Sequence, residues 1–150
     1  MHTWCAMSNR VLPLSKELRR LVEERIEHTL MGIEDTLRSI LSSQNLTFED
    51  LKKDLKSLEE SFNLLSQKWN LEIIYTLLLR NTVSFSELKR LLGVNSRPLS
   101  DKLKILKIHG FIDRTVEPGP PLRVNYNLTQ KGRNTALMAL PLLYYLSLAD

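Results

Sequence analysis

The segment from residue 84 to 114 constrains the fold of this chain more than any other, because it contains two short apolar helices separated by a glycine. Ser84 is a favourable N-cap, and Glu87 three residues later completes the sequence pattern of a capping box. Apolar residues follow at helical spacing: Leu88, Leu91 and Leu92. Gly93 then predicts the end of this helix, since glycine readily adopts the left-handed conformation at that position.

A second helix is predicted over residues 96–109, capped by Asn95 or Ser96, with Pro98 in its first turn, where a missing N–H costs nothing. Its apolar stripe consists of Leu99, Leu103 and Leu106. The opposite stripe is polar and largely cationic: Arg97, Ser100, Asp101, Lys104 and Lys107. Gly110 ends the helix. Two such helices across a glycine-bearing turn predict a helix-turn-helix whose second helix is the recognition helix.

Two strands are predicted after this pair of helices, over residues 111–116 and 122–128, because polar and apolar residues alternate there. Residues 117–121 join them and contain three prolines and one glycine, which predicts a stiff, exposed hairpin tip. A helix-turn-helix followed directly by a hairpin is a winged helix, with the wing at residues 117–123.

Helical periodicity also precedes the motif. Residues 14–41 carry a heptad seam: Ile26, Leu30, Ile33, Leu37 and Ile40. After a polar break, Thr47 is a predicted N-cap, and a second seam follows: Phe48, Leu51, Leu55, Leu58, Phe62 and Leu65. These segments predict either an antiparallel hairpin that packs on its own subunit or a dimerisation arm, and the periodicity favours neither. Residues 68–80 are apolar nearly all round, which predicts the central buried helix.

The last helix is predicted to begin after Thr129, and its residues 134–149 carry no charge. A terminal helix that is apolar on most sides must pack on another element, and a second subunit is the simplest partner. Pro141 is expected to kink or split this helix. The residues predicted to form a dimer interface are Ile26, Leu30, Ile33, Leu37, Leu137, Leu140 and Tyr144.

Positive charge is concentrated on the motif. The net charge of the chain is +4, whereas residues 84–133 contain 10 Lys and Arg against 4 Asp and Glu, a local net charge of +6. A concentrated basic face is typical of a protein with a polyanionic partner. Charge alone is equally compatible with an ordinary solvated face.

The remaining composition excludes several classes of protein. One cysteine, Cys5, excludes a disulfide within the chain, and three scattered histidines offer no metal-binding constellation. We find no glycine-rich phosphate loop and no nucleophile–base pair, so neither an enzyme, a cofactor nor a metal is expected. No apolar run reaches the ~20 residues of a membrane helix, and no signal peptide is apparent. A soluble cytoplasmic protein is expected.

Residues 65–128 resemble the HxlR-type winged-helix transcriptional regulators. The resemblance rests on spaced motifs: Lys68-Trp69, Phe85-Ser86-Glu87-Leu88, Leu99-Ser100-x-x-Leu103, Leu106-x-x-x-Gly110, Arg114, and Arg123-Val124-x-Tyr126-x-Leu128-Thr129 with Gly132. It implies a homodimer that binds operator DNA through the recognition helix and the wing. Residues 54–67 lack the cysteine that thiol-sensing members carry before the Lys-Trp pair, and residues 1–45 have no counterpart in the usual short N-terminus.

We therefore predict a mainly α fold with a small β-hairpin wing, an α+β winged helix-turn-helix. An N-terminal helical arm occupies residues 1–45, and residues 46–150 form the DNA-binding domain with flanking dimerisation helices. The predicted function is dimeric, sequence-specific regulation of transcription on double-stranded DNA. The predicted DNA-binding residues are Lys89, Ser96, Arg97, Ser100, Asp101, Lys104, Lys107 and Arg123. The alternatives are a protein–protein docking module of a larger assembly and a non-specific, chromatin-type DNA binder.

Overall fold

The computed structural model describes residues 16–43, 45 and 47–147. The helices and strands of the described residues are, in order, α1 (Lys16–Ser43), α2 (Phe48–Ser66), α3 (Asn70–Arg80), β1 (Thr82–Ser84), α4 (Phe85–Leu92), α5 (Ser96–Ile108), β2 (Ile112–Glu117), β3 (Arg123–Leu128) and α6 (Gln130–Ser147). The predicted lead-in, Cys5 and the expected start of the first helix at residue 14 lie outside them. The mainly helical fold with a small antiparallel sheet is confirmed.

The chain divides into two compact units. One unit covers residues 56–139, and the other contains the described residues before 56 and after 139. The first contains the helix-turn-helix and the sheet, and its core is formed by residues from α3, α4, α5 and the strands. The most deeply buried side chains include the predicted stripe of the recognition helix, Leu99, Leu103 and Leu106, each at most 1% exposed.

The central helix α3 begins later than the sequence indicated. Residue 68 was expected to open it, but the helix begins at Asn70, and Trp69 is its N-cap with a left-handed φ of 75°. Trp69 is partly buried and packs against the core. Asn70 is fully buried, and its Nδ2 donates a hydrogen bond to the Leu64 carbonyl oxygen at 2.7 Å. Helix α2 ends at Ser66, shortly before this N-cap.

The predicted caps of the helix-turn-helix are present. The Glu87 N–H donates to Ser84 Oγ at 3.2 Å, and Gly93 ends α4 in the left-handed conformation with φ 63°. Asn95 is the N-cap of α5, although its side chain makes no capping hydrogen bond, and α5 ends one residue before the predicted 109. The ends of α4 and the start of the recognition helix are therefore determined by capping residues that can be read from the local sequence.

The sheet is antiparallel with strand order β1-β3-β2. In β2 and β3, Arg114 lies opposite Tyr126 and Glu117 lies opposite Arg123. Strand β2 begins one residue later than predicted, because Phe111 belongs to the turn and its N–H donates to the Leu106 carbonyl oxygen at 2.9 Å. Strand β3 also begins one residue later than predicted, at Arg123. Within β3, the predicted inward residue Tyr126 is buried, whereas Leu122 precedes the strand and is exposed.

Helix α6 begins after Thr129, whose Oγ1 accepts a hydrogen bond from the Gly132 N–H at 3.0 Å, so the predicted N-cap is confirmed. Of the two expected effects of Pro141, a kink or a split, the split does not occur, since one helix runs through that residue. On its first turns, Ala136 is buried and its carbonyl oxygen accepts a hydrogen bond from Tyr75 Oη at 3.1 Å. Burial of this hydroxyl raises the pKa of Tyr75.

The second unit contains α1, the start of α2 and the end of α6. The predicted N-cap Thr47 is confirmed, because its Oγ1 accepts from the Asp50 N–H at 3.2 Å and donates to the Asp50 carboxylate at 2.6 Å. The Thr47 hydroxyl and, at 3.3 Å, the Thr47 N–H both donate to the Asp50 carboxylate, and these two hydrogen bonds lower the pKa of Asp50. Tyr144 Oη donates to Glu23 Oε1 at 2.8 Å, which connects the end of α6 to α1.

Both heptad seams are largely exposed. Of the α1 seam, Ile26 is 7% exposed, whereas Leu30, Ile33, Leu37 and Ile40 are between 41% and 54% exposed. Helix α2 contains no buried residue. The two predicted roles of these helices, a hairpin packed on its own subunit and a dimerisation arm, both involve the apolar seams. Apart from Ile26, the α1 seam residues listed above are exposed in the described part of the chain. Among the described helices, none has the length and apolar character needed to cross a membrane.

Candidate nucleic-acid interface

A cleft of about 1010 Å³ lies between the start of α4, the outer face of α5 and the β2–β3 hairpin. Its charged lining residues are four cations, Lys104, Lys107, Arg114 and Arg123, and two acids, Glu87 and Glu117. Four positive and two negative side chains give this lining a net charge of +2. A concave cationic surface that joins a helix to a hairpin is suited to a polyanionic strand.

The predicted recognition residues occupy two positions relative to this cleft. Ser100, Lys104 and Lys107 line it from α5. Ser96, Arg97 and Asp101 are exposed on the same helix but do not line the cleft. Arg97 in the first turn of α5 and Asp101 in the next turn therefore lie outside the cleft lining.

Lys102 has a different role from the other basic residues of α5. Its Nζ donates to Gln67 Oε1 at 3.1 Å, so it connects the recognition helix to the residue that follows α2. Lys89 is exposed on α4 and does not line the cleft. The structure thus brings together four of the predicted DNA-binding residues, Ser100, Lys104, Lys107 and Arg123, and leaves Lys89 outside.

The two acids of the cleft differ in their partners. Arg80 Nη1 lies 3.1 Å from Glu87 Oε1 in an ion pair, so the charge of Glu87 is compensated. The capping box is consequently half formed, since the Glu87 carboxylate accepts from Arg80. Glu117 Oε1 accepts a hydrogen bond from Asn125 Nδ2 at 3.0 Å. An amide carries no net charge, so Glu117 keeps its negative charge within the cleft.

Arg114 is a member of this site that sequence reasoning noted only within the family motif. It lies on β2 opposite Tyr126, is exposed, and lines the cleft with the cations of α5. Strand alternation places Arg114 on the same face as the buried Ile112, so the sequence pattern alone did not indicate that Arg114 lines a surface cleft. Arg114 lies on the edge strand β2, and its long side chain reaches the cleft.

Among the described residues, no group of three or more His, Cys, Asp or Glu side chains could hold a metal ion.

Comparison with known proteins identifies the family to which the segment that carries this cleft belongs. Residues 64–144 match the family model described as HxlR-like helix-turn-helix. The chain belongs to the HxlR-like helix-turn-helix family. The match begins near the end of α2 and includes the cleft, all three strands and most of α6. Helix α1 lies outside it.

Individual relatives agree. The chain is 37% identical over 79 residues to the HTH-type transcriptional regulator YvaP of Bacillus subtilis, covering 52% of this chain and 72% of that protein. The solved structure of diamide-treated YodB from B. subtilis has 32% identity and a TM-score of 0.51, covering 60% of this chain and 87% of that one. A MarR-family transcriptional regulator from Enterococcus faecalis V583 has 28% identity and a TM-score of 0.55, covering 69% and 90%. The HxlR-like protein described here is a helix-turn-helix, DNA-binding regulator of transcription.

Proposed function

We propose that the protein acts on double-stranded DNA as a homodimer, with α5 in the major groove and the wing on the sugar-phosphate backbone or in the minor groove. The observation that carries this proposal is the cationic cleft shared by α5 and the hairpin, because one DNA strand can contact both elements at once. Its action is regulatory and not enzymatic. A DNA partner also implies a cytoplasmic location.

The residues divide into two groups by the ligand they suit. Arg97, Ser100, Asp101 and Lys104 are proposed to contact base edges and the adjacent backbone, since arginine can bind guanine bidentately and Ser or Asp can select bases by hydrogen bonding. Ser96, Lys89, Lys107, Arg123 and the additional Arg114 are proposed to contact phosphates, which fix position without reading sequence.

Dimerisation is proposed to occur through helices outside the helix-turn-helix. On α6, Leu137 and Leu140 are 45% and 47% exposed, and Tyr144 is half-buried. Burying a leucine-sized side chain contributes about 1.5–3 kcal/mol, so several per subunit can offset the entropy lost on association. Two-fold symmetry would separate two recognition helices by about 34 Å, the distance between successive major grooves. We propose that the dimer interface is formed by helices within residues 46–150 and that the arm, residues 1–45, contributes to the same interface.

Selection from randomised double-stranded DNA with the purified full-length protein tests this proposal. We expect an enriched palindromic site with half-sites about one helical turn apart. Retention of DNA without enrichment would instead indicate a non-specific binder. No retention on DNA or heparin at low salt would indicate that the winged helix docks on protein.

A further inference from the structure

Lys102 lies on the side of α5 that faces away from the cationic cleft. Successive residues of an α-helix are rotated by about 100°, so Lys102 is about 160° around the helix axis from Lys104, which lines the cleft. Lys102 does not line the cleft and is only partly exposed. A phosphate bound by Lys104 in the cleft is therefore on the opposite side of the helix from the Lys102 ammonium group.

The partner of this ammonium group lies in the turn between α2 and α3. Lys102 Nζ donates a hydrogen bond to Gln67 Oε1 at 3.1 Å, and the two residues are 35 positions apart in the sequence. Lysine has three donors and no acceptor, so the Gln67 amide must present its oxygen to it. The bond therefore connects the rear side of the recognition helix to a segment that precedes α3.

The turn that carries Gln67 is itself fixed by hydrogen bonds to its neighbours. The Gln67 N–H donates to the Leu64 carbonyl oxygen at 3.3 Å, and the Gln67 carbonyl oxygen accepts from the Asn70 N–H at 3.1 Å. Asn70 is fully buried, and its Nδ2 donates to the same Leu64 carbonyl oxygen at 2.7 Å. The adjacent Trp69 packs against the core. Although the Gln67 side chain is exposed, its backbone is therefore anchored to the core.

We infer that Lys102 is a positioning residue for DNA recognition, because its bond to Gln67 limits rotation of α5 about the helix axis. The buried stripe of Leu99, Leu103 and Leu106 holds the inner side of α5 by hydrophobic burial, which is non-directional. A hydrogen bond at the edge of that stripe is directional and adds a restraint on the angle of the helix. The inference rests on the recognition role proposed above for α5 and adds to it a residue that does not touch DNA.

A restraint on the angle of α5 affects operator DNA more than non-specific DNA. Hydrogen bonds to base edges require a fixed orientation of the helix in the groove, whereas non-specific binding depends on charge alone. The free energy of an exposed hydrogen bond to a charged group is modest, but both subunits of a dimer contribute it. Its loss should therefore lower the ratio of operator affinity to non-specific affinity by about three- to tenfold.

Methionine substitutions in the full chain test the bond from both ends. Lys102→Met removes the donor and its charge, whereas Gln67→Met removes the acceptor and leaves the net charge unchanged. Each variant should lower the affinity ratio by the factor given above, and the double variant should be no worse than either single variant. The slope of log operator affinity against log salt should equal that of the unaltered protein, because no phosphate contact is lost. Gln67→Glu retains an acceptor oxygen and should retain the ratio.

Lys107→Met is the matched control, because Lys107 is a cation of the same helix that does line the cleft. It should lower the affinity for all DNA alike and make the salt slope less steep by about one for each subunit. Both affinities are measured on one preparation by competition between labelled operator and bulk DNA, so a loss of folded protein does not change their ratio.

The inference is wrong if Lys102→Met behaves as Lys107→Met does, since Lys102 would then contact phosphate. It is also wrong if Gln67→Met leaves the affinity ratio unchanged, or if the effects of the two single variants add in the double variant. These outcomes leave the proposed DNA-binding role intact, because the unaltered protein still selects its operator. An unaltered protein that prefers no operator over bulk DNA would overturn both the proposed function and this inference.

Discussion

Thr129 Oγ1 lies 2.5 Å from the carbonyl oxygen of Gly110, to which it donates a hydrogen bond. The Thr129 N–H donates to the neighbouring Phe111 carbonyl oxygen at 3.1 Å, and Lys131 Nζ donates to the His109 carbonyl oxygen at 2.7 Å. Three hydrogen bonds thus join the turn after the recognition helix to the first turn of α6. Because two of these hydrogen bonds come from the N-cap residue Thr129 and all three are accepted by backbone carbonyl oxygens, the end of α5 is held in one position relative to the start of α6.

Gly132 lies inside this junction, and we expect Gly132→Ala to destabilise the fold by about 3 kcal/mol or more. A Cβ there would lie 1.9 Å from the Phe111 carbonyl oxygen and 2.9 Å from its carbonyl carbon. Backbone held by hydrogen bonds on both sides cannot easily move away. Chemical denaturation measures the effect, with the exposed Asn134→Ala as control. A loss no larger than that of the control would show that the junction is not rigid.

Arg97→Ala and Arg123→Ala should have different consequences for DNA binding. Removing Arg97 from the first turn of α5 should relax discrimination at one base position in each half-site, at a cost of about 1–3 kcal/mol there. Removing Arg123 from the wing should weaken binding to all sequences alike. Binding assays against a panel of single-base operator variants measure both. Identical sequence profiles for the two variants would contradict the proposed division between base and phosphate contacts.

Local signals were sufficient to predict most of the fold. Ser84, Gly93 and Thr129 act as caps through neighbours within a few residues, and Leu99 and Leu103 are buried because helical spacing places them on one face. Such features depend on short segments of chain, so the sequence contains the information directly.

Features that depend on distant contacts were missed. Arg114 joins the cleft only because the hairpin brings its edge beside α5. Glu87 pairs with Arg80, seven residues earlier, where the capping pattern predicted a bond to the backbone. Gly132 was noted only as part of a family motif. A glycine is needed at this position because the residue packs against the Phe111 carbonyl group, which leaves no room for a side chain. Trp69 adopts a left-handed conformation that no rule of composition predicts for a bulky residue.

Salt should weaken DNA binding steeply, because side chains that neutralise phosphates release condensed counterions. Four cations line each cleft, so a dimer has eight available, and the two acids in each cleft reduce their effect. We expect a slope of log affinity against log salt of roughly −5 or steeper. Fluorescence anisotropy over a series of salt concentrations measures this slope. A slope near zero would contradict phosphate contact through this cleft.

Leu140→Asp on α6 should shift the protein towards monomers and thereby weaken operator binding. Leu140 is 47% exposed in one chain, so the aspartate is tolerated by the isolated subunit but would be buried without a partner in a dimer. We expect at least about a tenfold loss of dimer affinity by sedimentation equilibrium. The control is Leu79→Asp, an 81% exposed leucine on α3. Equal dimer affinity for the two variants would place the interface elsewhere.

Glu117→Gln should strengthen DNA binding and at the same time reduce its selectivity. Glu117 lines the cationic cleft, and its Oε1 accepts a hydrogen bond from the neutral amide of Asn125 at 3.0 Å. Its negative charge therefore opposes any phosphate that enters beside Arg123, its cross-strand neighbour. Glutamine removes the charge yet retains an oxygen that can accept from Asn125, so the hairpin should keep its geometry.

Because the repulsion acts on every sequence, its removal should help non-specific DNA most, where base contacts contribute nothing. We expect about a two- to fivefold gain in non-specific affinity, the range given by an exposed charge pair, and a smaller gain on the operator. Asp113→Asn is the matched control, since Asp113 is an exposed acid on the same strand that does not line the cleft. Competition between labelled operator and bulk DNA gives both affinities. If Asp113→Asn produces the same gain as Glu117→Gln, the effect comes from net charge alone, and Glu117 has no special place in selecting DNA.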